Sequence, residues 1–359
     1  MTSRHSLLLA LAAAAVLGAC GDDAPPPRTF LDGTASDPGI LLAVNLDKAL
    51  FMLQTGAPDQ RVSIALGASA TVTPVGLSVF GNYSAVPLGN VGSVAYVNLA
   101  TETVDRYFTF PSGNATGSAF VNPSTVVVCN QTTDQCGKFD PAQVGTEITG
   151  LVTVTQFPTS VVATGGRVFV VSSNLDDSYM QAGPGVVTEI NPATMEIVRT
   201  FEVGANPQYA ATANNKVYVV NSGDYGLNNG TLSVINLASN TVDPVISGFG
   251  DFPGPINIDT QGRAFISSFN YGTAVWNTVT EVFVKSPAVP LCVPSSGGAC
   301  RGAADAVVAP NGDVYQAYFG SAALSEPAYY FVYDGSTFSL KDSIAVPIGP
   351  SGLVGVTFE

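Results

Sequence analysis

The sequence predicts an all-β chain built from repeated four-stranded antiparallel units that close into a ring, and three observations carry that prediction. A module recurs in the middle of the chain. Gly166-Arg-Val-Phe-Val-Val-Ser172 is followed by a polar loop, then Val187-Thr-Glu-Ile-Asn-Pro-Ala-Thr194 and Glu196-Ile-Val-Arg-Thr-Phe-Glu-Val203. The pattern returns as Asn215-Lys-Val-Tyr-Val-Val-Asn221, Leu232-Ser-Val-Ile-Asn-Leu-Ala-Ser239 and Thr241-Val-Asp-Pro-Val-Ile246. Secondly, the apolar runs are short, rich in Val, Ile, Phe and Tyr, and split by turn residues, as strands require. Thirdly, no stretch after the first residues shows helical periodicity.

The polar residue that opens the second strand of each module measures the repeat. Gly39, Ser84, Thr125, Arg167, Lys216, Arg263 and Asp313 occupy this slot, at intervals of 45, 41, 42, 49, 47 and 50 residues. Gly165-Gly166, Asn214-Asn215, Gln261-Gly262 and Asn311-Gly312 precede it. Asn-Gly and Gly-Gly pairs supply the positive φ of a tight hairpin. Asn98, Asp140, Asn191, Asn236 and Asp334 open the next turn, where their side chains can accept from backbone amides two residues on. Four short strands in each unit of this length define a propeller blade. The expectation is a seven-bladed β-propeller over residues 39–359, with its first blade closed by the C-terminal strand. The first unit starts at its second strand, and Gly352-Leu-Val-Gly-Val-Thr-Phe-Glu359 reads as an innermost strand with no blade after it. Such closure removes an open sheet edge.

Val217-Tyr-Val-Val-Asn-Ser222, Gly230-Thr-Leu-Ser-Val-Ile-Asn236 and Asn206-Pro207 resemble the YVTN-type repeat of surface-layer and YncE-like seven-bladed propellers. The resemblance implies the fold over residues 39–359 and is clearest at 158–252. It implies little about activity, because such propellers host binding proteins, lactonases and dehydrogenase subunits alike.

The N-terminus predicts an address. Arg4, the apolar run from Leu7 and a small-residue site before Cys20 form a signal peptide over residues 1–19. Leu17-Gly-Ala-Cys20 resembles a bacterial lipobox, which implies cleavage before Cys20 and a lipid on its sulfur. Residues 20–38 carry Asp22-Asp23 and Pro25-Pro-Pro27, a semi-extended acidic tether. The expected location is the bacterial cell envelope, membrane-anchored through the lipid, periplasmic or surface-exposed. Gly21 after the cysteine favours the outer membrane by analogy with lipoproteins.

The remaining cysteines, Cys129, Cys136, Cys292 and Cys300, allow three pairings. Proximity favours Cys129–Cys136 and Cys292–Cys300, as loop clamps in an oxidising compartment. Metal binding is the rival reading, though the spacings fit zinc patterns poorly.

Charge and composition exclude several functions. The net charge of −14 disfavours nucleic acid as a partner. The only histidine is His5, inside the predicted leader. A Ser-His-Asp triad and histidine metal ligation are therefore excluded from the mature chain. No Gly-x-x-x-x-Gly-Lys phosphate loop is present. These absences favour a binding or interaction scaffold over an enzyme, and the chain is expected to be a monomer. Its ligand would be a protein, a glycan or a small molecule.

The polar loops nominate the site. Asn174, Tyr179, Asn221, Tyr225, Asn270, Tyr271 and Asp251 are candidate ligand-binding residues: tyrosines to stack, amides and carboxylates to orient. Asp176, Asp177 and Asp224 are candidate calcium ligands. Against each stands the simpler role of Asn, Asp and Gly as turn formers. The alternative function is a metal-assisted hydrolase or lactonase-like enzyme, whose carboxylates would converge on an ion in the central channel.

Overall fold

The computed structural model describes residues 40–44, 48–67, 71–295, 297–320, 326–347 and 349–356. The predicted leader, Cys20 and the tether lie outside these residues. Among the described residues, twenty-nine strands form seven antiparallel sheets. The first three strands are β1 (Ile40–Val44), β2 (Ala49–Gln54) and β3 (Arg61–Ala65). Six blades then follow, each built from consecutive strands. The first contains β4 (Ser78–Phe80), β5 (Tyr83–Pro87), β6 (Ser93–Asn98) and β7 (Thr103–Thr109). The second contains β8 (Ala115–Asn122), β9 (Thr125–Asn130), β10 (Gln135–Phe139) and β11 (Thr149–Thr153). The third contains β12 (Pro158–Thr164), β13 (Arg167–Ser172), β14 (Gly185–Asn191) and β15 (Glu196–Val203).

The fourth blade contains β16 (Pro207–Ala213), β17 (Lys216–Asn221), β18 (Thr231–Asn236), β19 (Thr241–Val242) and β20 (Ile246–Ser247). The fifth contains β21 (Ile256–Ile258), β22 (Arg263–Ser268), β23 (Gly272–Asn277) and β24 (Val282–Lys285). The sixth contains β25 (Asp305–Val308), β26 (Val314–Tyr318), β27 (Ala328–Tyr333) and β28 (Leu340–Val346). The last strand, β29 (Ser351–Val356), pairs antiparallel with β1, so the remaining sheet has the order β29-β1-β2-β3.

The expected seven like four-stranded blades are therefore corrected. The chain makes six blades from consecutive strands, together with one terminal sheet assembled from residues near both ends. The fourth blade also departs from four strands. Its outer edge breaks at Asp243-Pro244, so β19 and β20 pair separately with β18. Proline has no N–H to give a ladder, and here it interrupts an edge where that loss is tolerated.

The packing of neighbouring sheets explains why the second strands read as unbroken apolar runs. Val168, Phe169, Val170 and Val171 are all fully buried. One face of β13 meets the second blade through Val168 and Val170, and the other meets the fourth through Phe169 and Val171. Each pair of neighbouring sheets shares one apolar cluster of this kind. Leu50 and Met52 of the terminal sheet pack with Val86 and Val97 of the first blade. Phe51 and Leu53 pack with Tyr315 and Tyr330 of the sixth. The inner strands approach closely at Gly117 of β8, where a Cβ would lie 2.6 Å from the backbone nitrogen of Val161 in β12.

Scarce cations strap one blade to the next. Arg106 donates to the carbonyls of Pro141, Gln143, Val144 and Gly145 in the second blade. Lys138 caps Pro192 and Ala193 of the third. Arg167 reaches the Leu237 carbonyl and Asn240 of the fourth, and also pairs with buried Glu189 at 2.8 Å. Arg263 bonds Asp259 at 2.6 Å and the Gly335 carbonyl of the sixth blade. All these carbonyls belong to turns between a blade's third and fourth strands, at one end of the ring. The positions that measured the repeat at Arg167 and Arg263 are thus structural buckles.

Cys129–Cys136 and Cys292–Cys300 are disulfide-bonded. The first joins facing residues of β9 and β10, and both sulfurs are buried in the second blade's core.

Asp305 of β25 ties the terminal sheet to two blades. Its Oδ1 accepts from Asn257 Nδ2 of β21 at 2.9 Å and from the Ala306 amide at 2.8 Å. Its Oδ2 accepts from the Leu353 amide of β29 at 2.7 Å. Burial pushes its pKa up to about 7, against the opposing pull of those three donors. A carboxyl whose pKa rises from 3.8 on folding contributes most below about pH 4, and that contribution is lost as pH rises through about 7. Melting curves of the wild type and Asp305→Asn from pH 4 to 8 should show this difference. The wild type loses stability over the interval relative to the variant. The variant is less stable near pH 5, by about 1–3 kcal/mol, because its amide N–H₂ faces the Leu353 N–H. Parallel pH profiles for the two proteins would refute the assignment.

Candidate functional site: an aromatic cleft above the channel

The inner strand of every sheet contributes to a central channel with a cavity volume of about 650 Å³. A cleft of about 580 Å³ opens above it, and Tyr209, Pro255 and Phe269 line both. The cleft walls are loops of two kinds: those joining second to third strands, and those leading from one blade to the next. Both emerge at the end of the ring opposite the Arg106, Lys138, Arg167 and Arg263 straps.

A recurrent local device places the inter-blade loops. Phe157, Asn206 and Phe252 each precede a proline and each adopts a left-handed backbone, with φ of 61°, 50° and 49°. A residue before proline favours extended conformations, so the surroundings must hold this geometry. Serines just beyond or at the end of the second strands do so. Ser173 N–H and Oγ donate to the Phe157 carbonyl. The Ser222 amide donates to the Asn206 carbonyl, and its Oγ to the Pro253 carbonyl at 2.7 Å. Ser268 Oγ donates to the Asp251 carbonyl at 2.9 Å.

The turned phenylalanines support exposed tyrosines. Phe157 meets Tyr179 edge-on with ring centres 5.4 Å apart, and Phe252 meets Tyr225 likewise at 5.8 Å. Tyr179 and Tyr225 remain 71% and 74% exposed, and Phe269 61%. Between the pairs, Asn206 and Gln208 present amides. The Asn206 backbone N–H donates to Gln181 Oε1, and Asn206 Nδ2 donates to the Gly223 carbonyl. Gly223 must be glycine: its φ is 66°, and a Cβ would lie 2.2 Å from Asn229 Oδ1. Asp224 completes the wall, its Oδ2 accepting from Asn229 Nδ2 at 3.0 Å.

Tyr209 lies where cleft becomes channel. It presents 37% of its surface to the opening, yet the ring stands among protein atoms on most sides. Burial, with Asp305 adding repulsion, pushes its pKa up to about 12. Its hydroxyl is therefore a hydrogen-bonding group at neutral pH.

Of the residues nominated from sequence, Tyr179, Tyr225 and Asp224 line the cleft. Asp251 and Asn270 lie behind it and bond each other, with Asp251 also accepting from the Gly226 amide. Asn174 is a left-handed loop residue that donates to the Pro184 carbonyl. Asn221 is buried and donates to Thr231 and Ser233. Tyr271 is buried too, and its hydroxyl donates to the Phe249 carbonyl at 3.0 Å. These two serve the scaffold, not the cleft surface. Asp176 closes its own turn by accepting from the Ser178 and Met180 amides, beside exposed Asp177. Among the described residues, no three His, Cys, Asp or Glu side chains gather as an ion would require. Among the described residues the channel wall carries one carboxylate, Asp305, and both its oxygens are engaged. Phe157, Phe252 and Phe269 were not nominated. The signal for the first two was present as a Phe-Pro pair at the place where the fourth blade has Asn206-Pro207.

Comparison with known proteins establishes the fold and stops there. No protein-family model matches the chain, and no curated protein sequence is similar to it. Solved propeller structures are. Hydrazine synthase of Kuenenia stuttgartiensis superposes with a TM-score of 0.58 at 13% identity, over 79% of this chain and 90% of that one. The dihydro-heme d1 dehydrogenase NirN, in complex with DHE, gives 0.59 at 12% identity, over 88% of this chain and 74% of that one. The computationally designed Ika8 protein gives 0.58 at 12% identity, over 86% of each. The class is thus an all-β propeller. Its two disulfides point to an oxidising, extracytoplasmic compartment. Among the described residues, no helix is long and apolar enough to cross a membrane.

Tyr271→Phe separates scaffold from surface. Losing one buried hydrogen bond should lower stability by about 1 kcal/mol. Ligand capture by the cleft should be unchanged, as read by a melt and a binding isotherm on the same preparation. A binding defect with no stability loss would return Tyr271 to the site.

Proposed function

We propose that this protein is a non-catalytic binding scaffold of the bacterial cell envelope, and that it captures its ligand in the aromatic cleft. The observation that carries the reading is the pair of exposed tyrosines, Tyr179 and Tyr225, each backed by a phenylalanine held in a strained turn. Large exposed rings on rigid, hydrogen-bonded loops fit a preformed recognition surface better than turn formation alone. A lipid on Cys20 tethers the propeller to the membrane, most readily the outer one. Kinship with the YVTN/YncE-like propellers belongs to the same reading and rests on the repeat motifs.

The NirN structure is that of a dehydrogenase, so a ring of this shape accommodates enzymes. A metal-assisted hydrolase or lactonase would need several carboxylates converging in the channel. Asp305 alone meets that description, and it is occupied in joining strands.

The test is a thermal-shift screen of glycans, amines and other small molecules, followed by titration. A bound ligand raises the melting temperature by mass action. The double variant Tyr179→Ala/Tyr225→Ala should unfold within about 0.5 kcal/mol of the wild type, since both rings are exposed. It should bind any hit about 10-fold more weakly or worse. A ligand that binds both proteins equally would place the site elsewhere.

A further inference from the structure

The cleft's lining has an uneven chemistry. It contains Phe157, Tyr179, Tyr225, Phe252 and Phe269, together with amides and serines. Among the described residues it contains one carboxylate, Asp224, and neither the cleft nor the channel beneath it is lined by lysine or arginine. Asp176, Asp177 and Asp251 stand in loops on the same end of the ring. Arg301 lies in an inter-blade loop at this end too, but it is neutralised by Glu326 at 2.9 Å. The chain as a whole carries a net charge of −14. Among the described residues, the lining offers an anionic ligand no cationic side chain. Low-dielectric aromatic walls concentrate the negative field in the opening.

We infer that the cleft selects an organic cation with a small apolar body, such as a quaternary or alkylated ammonium group. The inference rests on the binding function proposed above and names its ligand class. The ring faces of Tyr179 and Tyr225 attract a cation through their quadrupoles. Each of these rings also packs edge-to-face with its phenylalanine. Asp224 supplies the counter-charge. Its Oδ2 is held by Asn229 Nδ2, and its Oδ1 accepts nothing from the described residues. Gln181 and Asn206 spend their amides on Ser173, Gly183, Gly223 and each other, so Gln208, whose Nε2 donates to Asn206 Oδ1, is the amide that faces any hydroxyl accompanying the cation. Strong hydration of a bare metal ion disfavours such a site, whereas a methylated ammonium loses little water on entry.

The probes are choline, its uncharged isostere 3,3-dimethylbutan-1-ol, and the neutral disaccharide maltose, titrated by calorimetry against the full chain. Choline should bind at least about 10-fold more tightly than the isostere. Asp224→Asn and Tyr225→Ala should each weaken choline about 5-fold or more, with melting temperatures unchanged. Tyr179→Ala provides a second wall variant should Tyr225→Ala fold poorly. Raising the salt concentration should weaken choline and leave the isostere untouched. Equal affinity for choline and its isostere would overturn the cation inference and leave the binding function standing. Tight binding of maltose with none of choline would do the same. Silence from all three probes would overturn the cation inference. The binding function itself would then fall only if the wider screen gave no ligand sensitive to the tyrosine variants.

Discussion

Three strands of different origin meet at the carboxylate of Asp305. Through it β25 holds Asn257 of the preceding blade on one side and the Leu353 amide of the last strand on the other. Everything else in the ring is sequential: each blade folds from consecutive residues and packs on the next. Only the terminal sheet joins residues at the two extremes of the described chain, and it has no loop to bring them together. The ring's shape, and the facing of its loops across one opening, depend on this seam. Burying a carboxylate there costs desolvation, which shows in its raised pKa. The compensation is three donors, two of which, Asn257 Nδ2 and the Leu353 amide, are brought in from other strands.

The same economy of charge shapes the two ends of the ring. A chain with 13 lysines and arginines spends several of them as straps at the turns between third and fourth strands. At the opposite end the cleft is lined by aromatic rings, amides and one carboxylate, and Arg301 nearby is held in an ion pair by Glu326. The cleft's negative character is thus a consequence of where the blades need buckles, as well as of its own residues.

Much of this was legible in the sequence, because it is written in the period. The Val-Phe-Val-Val and Val-Tyr-Val-Val runs are buried second strands, and the cysteine pairs close as their spacing suggests. Seven like units proved too regular. Asp243-Pro244 splits one outer edge, and the terminal sheet is a composite. Site residues were harder to read. Asn221 and Tyr225 sit in one loop region, yet one faces the core and the other solvent. Composition cannot separate them, since that choice is set by the neighbouring blade. Nothing in the sequence around Asp305 marks it out, because its partners lie 48 residues away on each side. Phe157 and Phe252 gain meaning only from the tyrosines they touch.

The dependence on closure is open to a direct measurement. A chain ending at residue 350 lacks β29, and a synthetic peptide of residues 351–359 can be offered back to it. The melting temperature of the truncated chain, with and without the peptide, is the quantity to record. The account predicts a large drop on truncation and a concentration-dependent recovery with the peptide, as strand addition at an open edge demands. A truncated chain that melts like the full protein and ignores the peptide would contradict it.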